Sequence, residues 1–345
     1  MSKVDVVIPC YNYARYLREC VHSVLSQPGV DVRALVIDDA SSDETAQVGY
    51  ELAESDPRVE FHRHHKNKGH IATYNEGLAL VSADYVVLLS ADDLLTPGAL
   101  KRATDLMTAH PSVGFVYGFP KAFQTASPPP AETRVSGWTV WNGREWMKLM
   151  CRKGKNFIHS PEVVMRADIQ RAIGGYRPSL PHSGDMEMWL RAAAVSDVGR
   201  VNGADQAYYR VHASNMHRTS YAGFLVDLQG RHDAFRSAFE GPVKGIPDAG
   251  LLFELAKRSL AASAVRHACQ AHDRGRAELE PVEGYLEFAR SLFPGVVTTR
   301  QWRGLERRRG QRRGAILRMV DRARARAREF LDGRSVRRWV RTGLF

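Results

Sequence analysis

The strongest constraint on the fold is a pattern that repeats through the first 93 residues. Short apolar runs rich in β-branched residues occupy 4–8, 32–37, 59–61 and 85–89, and segments with helical spacing of apolar positions, such as 16–25, lie between them. Parallel strands need crossover connections of about a dozen residues or more, which are usually helices. The alternation therefore predicts an α/β fold in which a mostly parallel, Rossmann-like sheet carries helices on both faces.

The pattern changes in the second half of the chain. We expect further strands over 156–166 and 206–211, around a helix at 186–194. Apolar positions at helical spacing then dominate 251–271 and 282–293. The sequence therefore predicts a helical C-terminal extension after the α/β region.

Polar clusters come directly after three of the apolar runs. They are Pro9-Cys10-Tyr11-Asn12, the pair Asp38 and Asp39, and the pair Asp92 and Asp93. Ligands of open α/β sheets bind beyond the carboxyl ends of the strands, so the clusters are expected to share one crevice. Four carboxylates there would repel one another, and a divalent cation bound also to substrate phosphates would offset this repulsion. Either acidic pair alone could instead cap a helix, but two pairs in register favour a shared site.

Five segments also carry a resemblance to a known family. They are 6–12 (VVIPCYN), 36–43 (VIDDASSD), 67–70 (NKGH), 75–77 (NEG) and 83–93 (ADYVVLLSADD). Their order and spacing resemble the family 2 glycosyltransferases, which have the GT-A fold. The resemblance extends over roughly the first 220 residues.

The resemblance implies a nucleotide-diphosphate-sugar donor, UDP-linked in the commonest case. Tyr11 would stack on the base, Asp39 together with Asp38 would hydrogen-bond it, and Asp92 would lie toward the ribose. Asp93 would coordinate Mn²⁺ or Mg²⁺ on the diphosphate. The other residues implied at the donor site are Pro9, Asn12, Asn67, Gly69, His70 and Asn75.

One departure from the family pattern concerns the metal site, because Ala91 stands where many members have a third acid. The family places its catalytic base at the start of a later helix, and Asp185 matches that position. This carboxylate would deprotonate an acceptor hydroxyl during an inverting, in-line displacement. Asp185 could also cap the helix, in which case Glu187 is the substitute base.

A histidine-bearing segment, Tyr209–Asn215, also resembles the family. It implies His212 as a second metal ligand, and an imidazole ligand would favour Mn²⁺ over Mg²⁺. A lone histidine near a strand end could instead have a structural role. Arg210 and Arg218 are candidates to balance phosphate charge.

Other aromatic and histidine residues allow two interpretations. His62, His64 and His65 alternate in direction on a strand, so we expect a solvated, mildly basic rim and not a metal site. Three tryptophans could form a platform for a sugar acceptor, although core packing is their commoner use; they are Trp138, Trp141 and Trp146.

The net charge of +11 is confined to the C-terminal end. Residues 303–345 contain 15 arginines and four acidic residues, which accounts for all the excess charge. Nucleic-acid binding by the main body is therefore not favoured. Apolar residues at helical spacing within 316–331 predict a basic amphipathic helix, which would lie on an anionic membrane surface or pack on its own protein.

The predicted organisation has three parts. A catalytic domain at 1–225 comprises a nucleotide-sugar-binding half (1–120) and an acceptor-binding half (121–225). A helical extension follows at 226–302, and the Arg-rich amphipathic tail occupies 303–345.

Several other classes are disfavoured. The four cysteines form no CxxC pair, and neither a signal peptide nor an apolar run of ~18–20 residues is evident. We therefore expect reduced thiols and a cytoplasmic protein with, at most, peripheral contact at the inner face of the membrane. P-loop (GxxxxGK[ST]), dinucleotide (GxGxxG) and nucleophile-elbow (GxSxG) motifs are lacking.

The sequence as a whole predicts a metal-dependent inverting glycosyltransferase. A non-catalytic sugar-nucleotide or carbohydrate-binding module is the alternative, and a sugar-1-phosphate nucleotidyltransferase is less favoured because no Gly- and Arg-rich loop follows the first strand. The acceptor remains open between a glycan, a lipid-linked sugar and a small molecule. The sugar and the oligomeric state are open as well.

Overall fold

A computed structural model of the chain describes residues 1–215 and 223–310. The chain divides into two compact units. The first comprises Met1–Trp146 and Phe157–Asn215, and the second comprises Met147–Asn156 and the described residues after Asn215. Arg218 and most of the expected amphipathic tail, from residue 311 onward, lie outside the described residues. The domain boundaries expected at 225 and 302 stay predictions.

The helices and strands of the first unit alternate through its N-terminal half, as the sequence pattern predicts. In chain order they are β1 (Lys3–Cys10), α1 (Ala14–Leu25), β2 (Asp31–Asp38), α2 (Thr45–Ser55), β3 (Val59–Arg63), α3 (His70–Ala79), β4 (Tyr85–Leu88), β5 (Leu94–Leu95), α4 (Ala99–Ala109), β6 (Val113–Tyr117), β7 (Pro120–Phe123), β8 (Gly137–Trp141), α5 (Gly143–Lys153, which continues into the second unit), β9 (Val164–Arg166), α6 (Ala167–Ile173), α7 (Gly184–Val195), β10 (Asp197–Asn202) and β11 (Ala207–Arg210).

Eight of these strands form one sheet in the order β3-β2-β1-β4-β9-β6-β10-β8. Strand β1 lies between β2 and β4 and runs parallel to both, and β2 pairs in parallel with β3. Strand β9 is antiparallel to both of its neighbours, and β8 is antiparallel to β10. A second, three-stranded sheet has the order β5-β11-β7. The expectation of a mostly parallel sheet is confirmed.

Helices cover both faces of the large sheet. Val6 and Ile8 of β1 belong to the same buried apolar cluster as Leu17 of α1. Val7 points to the opposite face, where a Cβ added at Gly77 of α3 would lie 2.3 Å from Val7 Cγ1. Successive side chains of a strand alternate between faces, so the buried run of β1 requires a helix on each side.

One strand is much shorter than expected. Of the strand predicted over 156–166, only Val164–Arg166 forms, and Ser160–Glu162 makes a short three-ten helix instead. Pro161 explains the difference, since proline has no N–H to donate to a sheet and is well tolerated in the first turn of a helix. The candidate platform tryptophans differ in burial. Trp146 is buried against Phe115, whereas Trp138 is exposed.

The second unit is helical over its described residues, which confirms the expected C-terminal extension. Its further helices are α8 (Phe224–Glu240), α9 (Ala249–Asp273), α10 (Val282–Leu292) and α11 (Arg300–Gly310). Arg308 of α11 bonds Asp273 at the end of α9, at 2.8 Å. All four cysteines of the chain are buried. Within 1–215 and 223–310, every helix is too short or too polar to cross a bilayer.

Glu162 is a buried acid in the three-ten helix. Its Oε1 accepts a hydrogen bond from the His159 N–H at 2.9 Å, and its Oε2 has no hydrogen-bond partner among the described residues. Burial raises the pKa of Glu162 to about 8, against the lowering effects of that N–H and of Arg200. The folded protein therefore holds this carboxyl protonated at a pH at which the unfolded chain ionises it.

Our first prediction concerns the contact between α3 and the sheet. Gly77→Ala should lower the free energy of unfolding by roughly 1–2 kcal/mol, because overpacking against Val7 outweighs the better helix propensity of alanine. Gly250→Ala is the matched control, since a Cβ at this helical glycine meets nothing within 4 Å. Urea unfolding would measure both, and a Gly77→Ala variant as stable as the wild type would contradict the packing.

Our second prediction concerns pH. Because the pKa of Glu162 is raised in the folded state, the contribution of this group to stability falls as pH rises from about 4.5 toward 8. Glu162→Gln should remove this fall and be the more stable protein at pH 9. Thermal unfolding from pH 5 to 9 tests this, with the exposed Glu54→Gln as control. Parallel wild-type and Glu162→Gln profiles would disprove it.

Candidate active site

The loops after β1 and β2 are joined by Asn12. The Asn12 N–H donates to Ser41 Oγ at 2.8 Å, and Asn12 Oδ1 accepts the Ser42 N–H at 2.9 Å. Asn12 has a φ of 58°, a left-handed conformation that asparagine tolerates better than most residues. Pro9, predicted at the donor site, is buried within β1, whereas Tyr11 is 49% exposed and its ring is open for stacking.

Asp38 and Asp39 have different surroundings. Asp38 is fully buried, and its carboxylate accepts the Ser41 N–H at 3.0 Å and lies 3.3 Å from the Arg63 guanidinium. Asp39 accepts the N–H groups of Lys68 at 2.7 Å and Gly69 at 2.9 Å. Asp38 therefore organises its own loop, whereas Asp39 fixes the turn that leads into α3.

His64 is the third partner of Asp39, with Nδ1 at 2.7 Å from Oδ1. Burial would raise the pKa of Asp39, but the hydrogen bonds from Lys68, His64 and Gly69 together lower it. The expectation of a solvated rim is wrong for His64, which is buried. Strand β3 ends at Arg63, so the alternation rule does not extend to residue 64.

The remaining predicted residues of this region bind the protein itself. Asn67 Nδ2 donates to the Asp39 carbonyl at 3.3 Å. His70 Nε2 lies 3.0 Å from the Pro181 carbonyl. Asn75 uses both its amide groups on the backbone of Tyr176. These contacts tie α3 to the segment that precedes α7.

Asp92 and Asp93 are both buried at the end of β4. Asp93 Oδ1 accepts the backbone N–H of Arg210 at 2.9 Å, and Asp92 Oδ2 lies 2.9 Å from His212 Nε2. Burial, followed by the negative charge of Asp92, raises the pKa of Asp93 well above its ordinary value, despite the opposing effect of Arg210. Burial and both carboxylates likewise raise the pKa of Tyr13.

His212 packs beside these acids. Its ring stacks on Tyr16 with the centroids 5.6 Å apart, and its Nδ1 is buried without a hydrogen-bond partner among the described residues. Two carboxylates and an imidazole are donors that suit a divalent transition metal such as Mn²⁺. In the described part of the chain, however, no three His, Cys, Asp or Glu side chains are grouped closely enough to form a complete metal site.

The Arg210 side chain binds other groups of the protein. Its Nε donates to the Asp92 carbonyl at 2.9 Å, and its guanidinium bonds Glu19 at 2.5 Å. The guanidinium carbon lies 4.6 Å from the Tyr16 ring centroid and 4.5 Å from that of Phe123. The structure therefore favours a role in holding β11 against the acidic pair over the predicted role in phosphate binding.

Asp185 lies in the first turn of α7 and is partly exposed. It accepts hydrogen bonds of 2.7 Å from both Ser160 and Tyr176. Glu187, the predicted substitute base, is fully buried between Arg177 at 2.7 Å and Arg191 at 2.8 Å. A carboxylate with no exposed surface and two guanidinium partners fits a structural role for Glu187 better than proton transfer.

Tyr74 connects the two halves of the site. Burial and then the negative charges of Asp185, Asp92 and Asp93 raise the pKa of its phenol well above the ordinary value. These three carboxylates, up to 93 residues apart in sequence, therefore all act on Tyr74, whose ring also packs on the Asp185 partner Tyr176 with the centroids 5.4 Å apart.

Sequence reasoning missed several residues of this region. Asn215 lay within the quoted histidine segment but received no role, although its amide lies 3.4 Å from Asp92 Oδ2. The partners of Asp185, Ser160 and Tyr176, come from a proline-containing turn and a Gly-Gly turn. Those motifs predict turns, but nothing in the sequence indicates which carboxylate the neighbouring hydroxyls reach.

Comparison with known proteins gives the relationship. Residues 5–169 match the family model of glycosyl transferase family 2. The chain is 25% identical over 231 residues to an uncharacterised glycosyltransferase of Nostoc sp., covering 63% of this chain and 67% of that protein. It is 26% identical over 200 residues to a chondroitin synthase of Escherichia coli, covering 58% of this chain and 28% of that protein. The second relative is thus matched over less than a third of its own length.

Two solved structures have a similar fold. TarS of S. aureus, in complex with UDP-GlcNAc, has a TM-score of 0.53 and 15% identity, covering 85% of this chain and 92% of that one. The mannosyltransferase PcManGT of Pyrobaculum calidifontis, in complex with GDP-Man and Mn²⁺, has a TM-score of 0.55 and 17% identity, covering 85% and 88%. The expected GT-A fold is confirmed. Residues 5–169 of this chain form a glycosyl transferase family 2 domain.

Proposed function

We propose that the protein is an inverting glycosyltransferase that transfers a sugar from a nucleoside-diphosphate donor, UDP-linked, to an acceptor hydroxyl. The observation that carries this proposal is a buried acidic pair, Asp92 and Asp93, beside a separate acid of α7, Asp185. Tyr74 packs on Tyr176, the partner of Asp185, with the ring centroids 5.4 Å apart, and the charges of all three acids raise the pKa of its phenol. A single displacement needs this arrangement, with the leaving diphosphate and the base near the same anomeric carbon.

The donor end is supported by Tyr11 and Asp39. An exposed phenol ring provides a stacking surface for a base, and the hydrogen bonds to Asp39 favour its ionised form, which accepts donors of a base. The UDP-GlcNAc bound in TarS supports a uridine nucleotide. The GDP-Man bound in PcManGT supports guanosine as the alternative, so GDP is included in the titration below.

The proposed metal site consists of Asp92, Asp93 and His212. Asp93 and His212 would hold Mn²⁺ or Mg²⁺, with Asp92 toward the ribose. The raised pKa of Asp93 supports this, because a cation would offset a buried negative charge that no ammonium or guanidinium among the described residues pairs directly. A bound cation would neutralise charge on the departing diphosphate.

Asp185 would act as the general base. It would accept the proton of the acceptor hydroxyl while that oxygen bonds to the anomeric carbon and the carbon–diphosphate bond breaks. Its place in the first turn of α7 favours a negative charge there, since the helix N-terminus carries a partial positive charge.

The acceptor is a glycan, a lipid-linked sugar or a small molecule. The excess of arginine over acidic residues in 303–345 supports peripheral contact with an anionic membrane at the cytoplasmic face, which would suit a lipid-linked acceptor. We therefore propose a cytoplasmic protein that reaches the membrane through this segment.

Our third prediction concerns donor binding. One nucleoside diphosphate among UDP, GDP, CDP and dTDP should raise the unfolding midpoint with Mn²⁺, through stabilisation of about 2.7 kcal/mol at ~100 times its dissociation constant. Asp93→Ala should lose the metal-dependent shift, and Asp105→Ala, at an exposed acid of α4, should keep it. No shift with any nucleotide would favour the non-catalytic binding module instead.

Our fourth prediction concerns the base. Asp185→Asn should reduce kcat at least ~100-fold and leave donor binding intact, because the amide keeps the shape but accepts no proton. Asp168→Asn is the control, an exposed acid in the first turn of α6. Release of the nucleoside diphosphate in the presence of acceptor measures kcat, and wild-type turnover by Asp185→Asn would exclude it as the base.

A further inference from the structure

Both oxygens of Asp185 receive a hydroxyl donor. Tyr176 Oη donates to Oδ1 at 2.7 Å, and Ser160 Oγ donates to Oδ2 at 2.7 Å. An ionised carboxylate offers about four lone-pair sites, so about two remain for an acceptor hydroxyl. The two donors come from different segments, and together they fix the plane of the carboxylate.

Tyr176 is itself held from α3. Asn75 Nδ2 donates to the Tyr176 carbonyl at 2.9 Å, and the Tyr176 N–H donates to Asn75 Oδ1 at 2.6 Å. This pair of bonds uses both groups of the amide. The polar atoms of the Asn75 side chain therefore bind the backbone of Tyr176 and not a nucleotide-sugar donor.

Two glycines allow this close fit. A Cβ at Gly175 would lie 2.3 Å from Asn75 Oδ1, and a Cβ at Gly184 would lie 2.9 Å from Tyr176 Cδ1. Neither glycine has a positive φ, so backbone conformation alone does not explain why glycine stands at these positions. Their small size lets the amide reach the backbone and lets the phenol ring pack beside the start of α7.

Helix α3 also reaches the donor side. The turn before it is bonded to Asp39 through the N–H groups of Lys68 and Gly69. Its first residue, His70, contacts the Pro181 carbonyl. One short helix thus connects the acid predicted to bind the base of the donor with the segment that carries Tyr176.

We infer that Tyr176, held by Asn75, and Ser160 are positioning residues that orient the Asp185 carboxylate toward the acceptor hydroxyl. This inference rests on the proposed role of Asp185 as the base. Asn75 acts through Tyr176 and makes no contribution of its own to donor binding. Proton transfer depends on correct placement of the base, so loss of either hydroxyl slows the chemical step while donor affinity is retained.

The test compares Tyr176→Phe, Ser160→Ala and Asn75→Ala in the full-length protein. Each should lower kcat about 10-fold, with donor KM within about twofold of wild type. Tyr176→Phe and Ser160→Ala each lose one charge-assisted hydrogen bond to Asp185, and Asn75→Ala releases the backbone of Tyr176. In Tyr176→Phe and Ser160→Ala the acidic limb of the kcat–pH profile should move to higher pH, because a carboxylate with fewer donors is protonated more readily. A merely structural role would leave that limb in place.

Tyr285→Phe is the matched control, since it removes a phenol hydroxyl that is bonded to a carboxylate, Glu280, in the second unit. It should leave kcat and its pH profile unchanged. Unchanged kcat in Tyr176→Phe and Ser160→Ala would overturn the inference. An increase in donor KM at constant kcat in Asn75→Ala would assign Asn75 to the donor site instead.

The outcomes separate this inference from the proposed function. Full activity of Asp185→Asn refutes the base, whereas an inactive Asp185→Asn beside fully active Tyr176→Phe and Ser160→Ala refutes only the positioning. A double-mutant cycle of Tyr176→Phe and Asp185→Asn on the unfolding midpoint tests the contact without turnover. Coupled effects support the inference, and additive effects overturn it.

Discussion

The burial of two adjacent carboxylates, Asp92 and Asp93, is the constraint on which the site depends. Two neighbouring negative charges out of water are costly, so the fold must bring donors to them. The second, three-stranded sheet meets this need, because β11 delivers the Arg210 backbone N–H to Asp93 and is followed by His212 beside Asp92. The small sheet is thereby tied to the electrostatics of the end of β4.

Arg210 shows how the same residue serves packing and charge. Its side chain lies between two aromatic rings and bonds Glu19 of α1, so its positive charge is held close to the acids without contacting either carboxylate through the guanidinium. The Asp93 carboxylate is thus bonded to the Arg210 backbone N–H and not to its guanidinium. A guanidinium bonded to Asp93 would compete with a cation for its oxygens.

The sequence predicts local features of this fold well and long-range pairings poorly. Strands and helices of the first half follow from apolar spacing, since each must bury a face of its own. The pairing of Asp39 with His64 was not predicted, because His64 lies one residue beyond the end of β3, where a rule based on strand alternation no longer applies. Asn75 was predicted as a donor-site residue, and its contact with the backbone of Tyr176, 101 residues later, was not predicted, because a motif does not identify the backbone that a polar side chain meets.

The two acids of α7 show why position within a helix decides their chemistry. Asp185 and Glu187 are two residues apart, so at 3.6 residues per turn they project about 200° apart around the axis. Glu187 therefore faces inward, to Arg177 and Arg191, whereas Asp185 faces two neutral hydroxyls. Glu187 is thus fully buried and held by two charged partners, which add positive charge around it. Asp185 is partly exposed, and its hydroxyl donors orient the carboxylate without adding charge, so the position within the helix leaves Asp185 as the acid of α7 that solvent can reach.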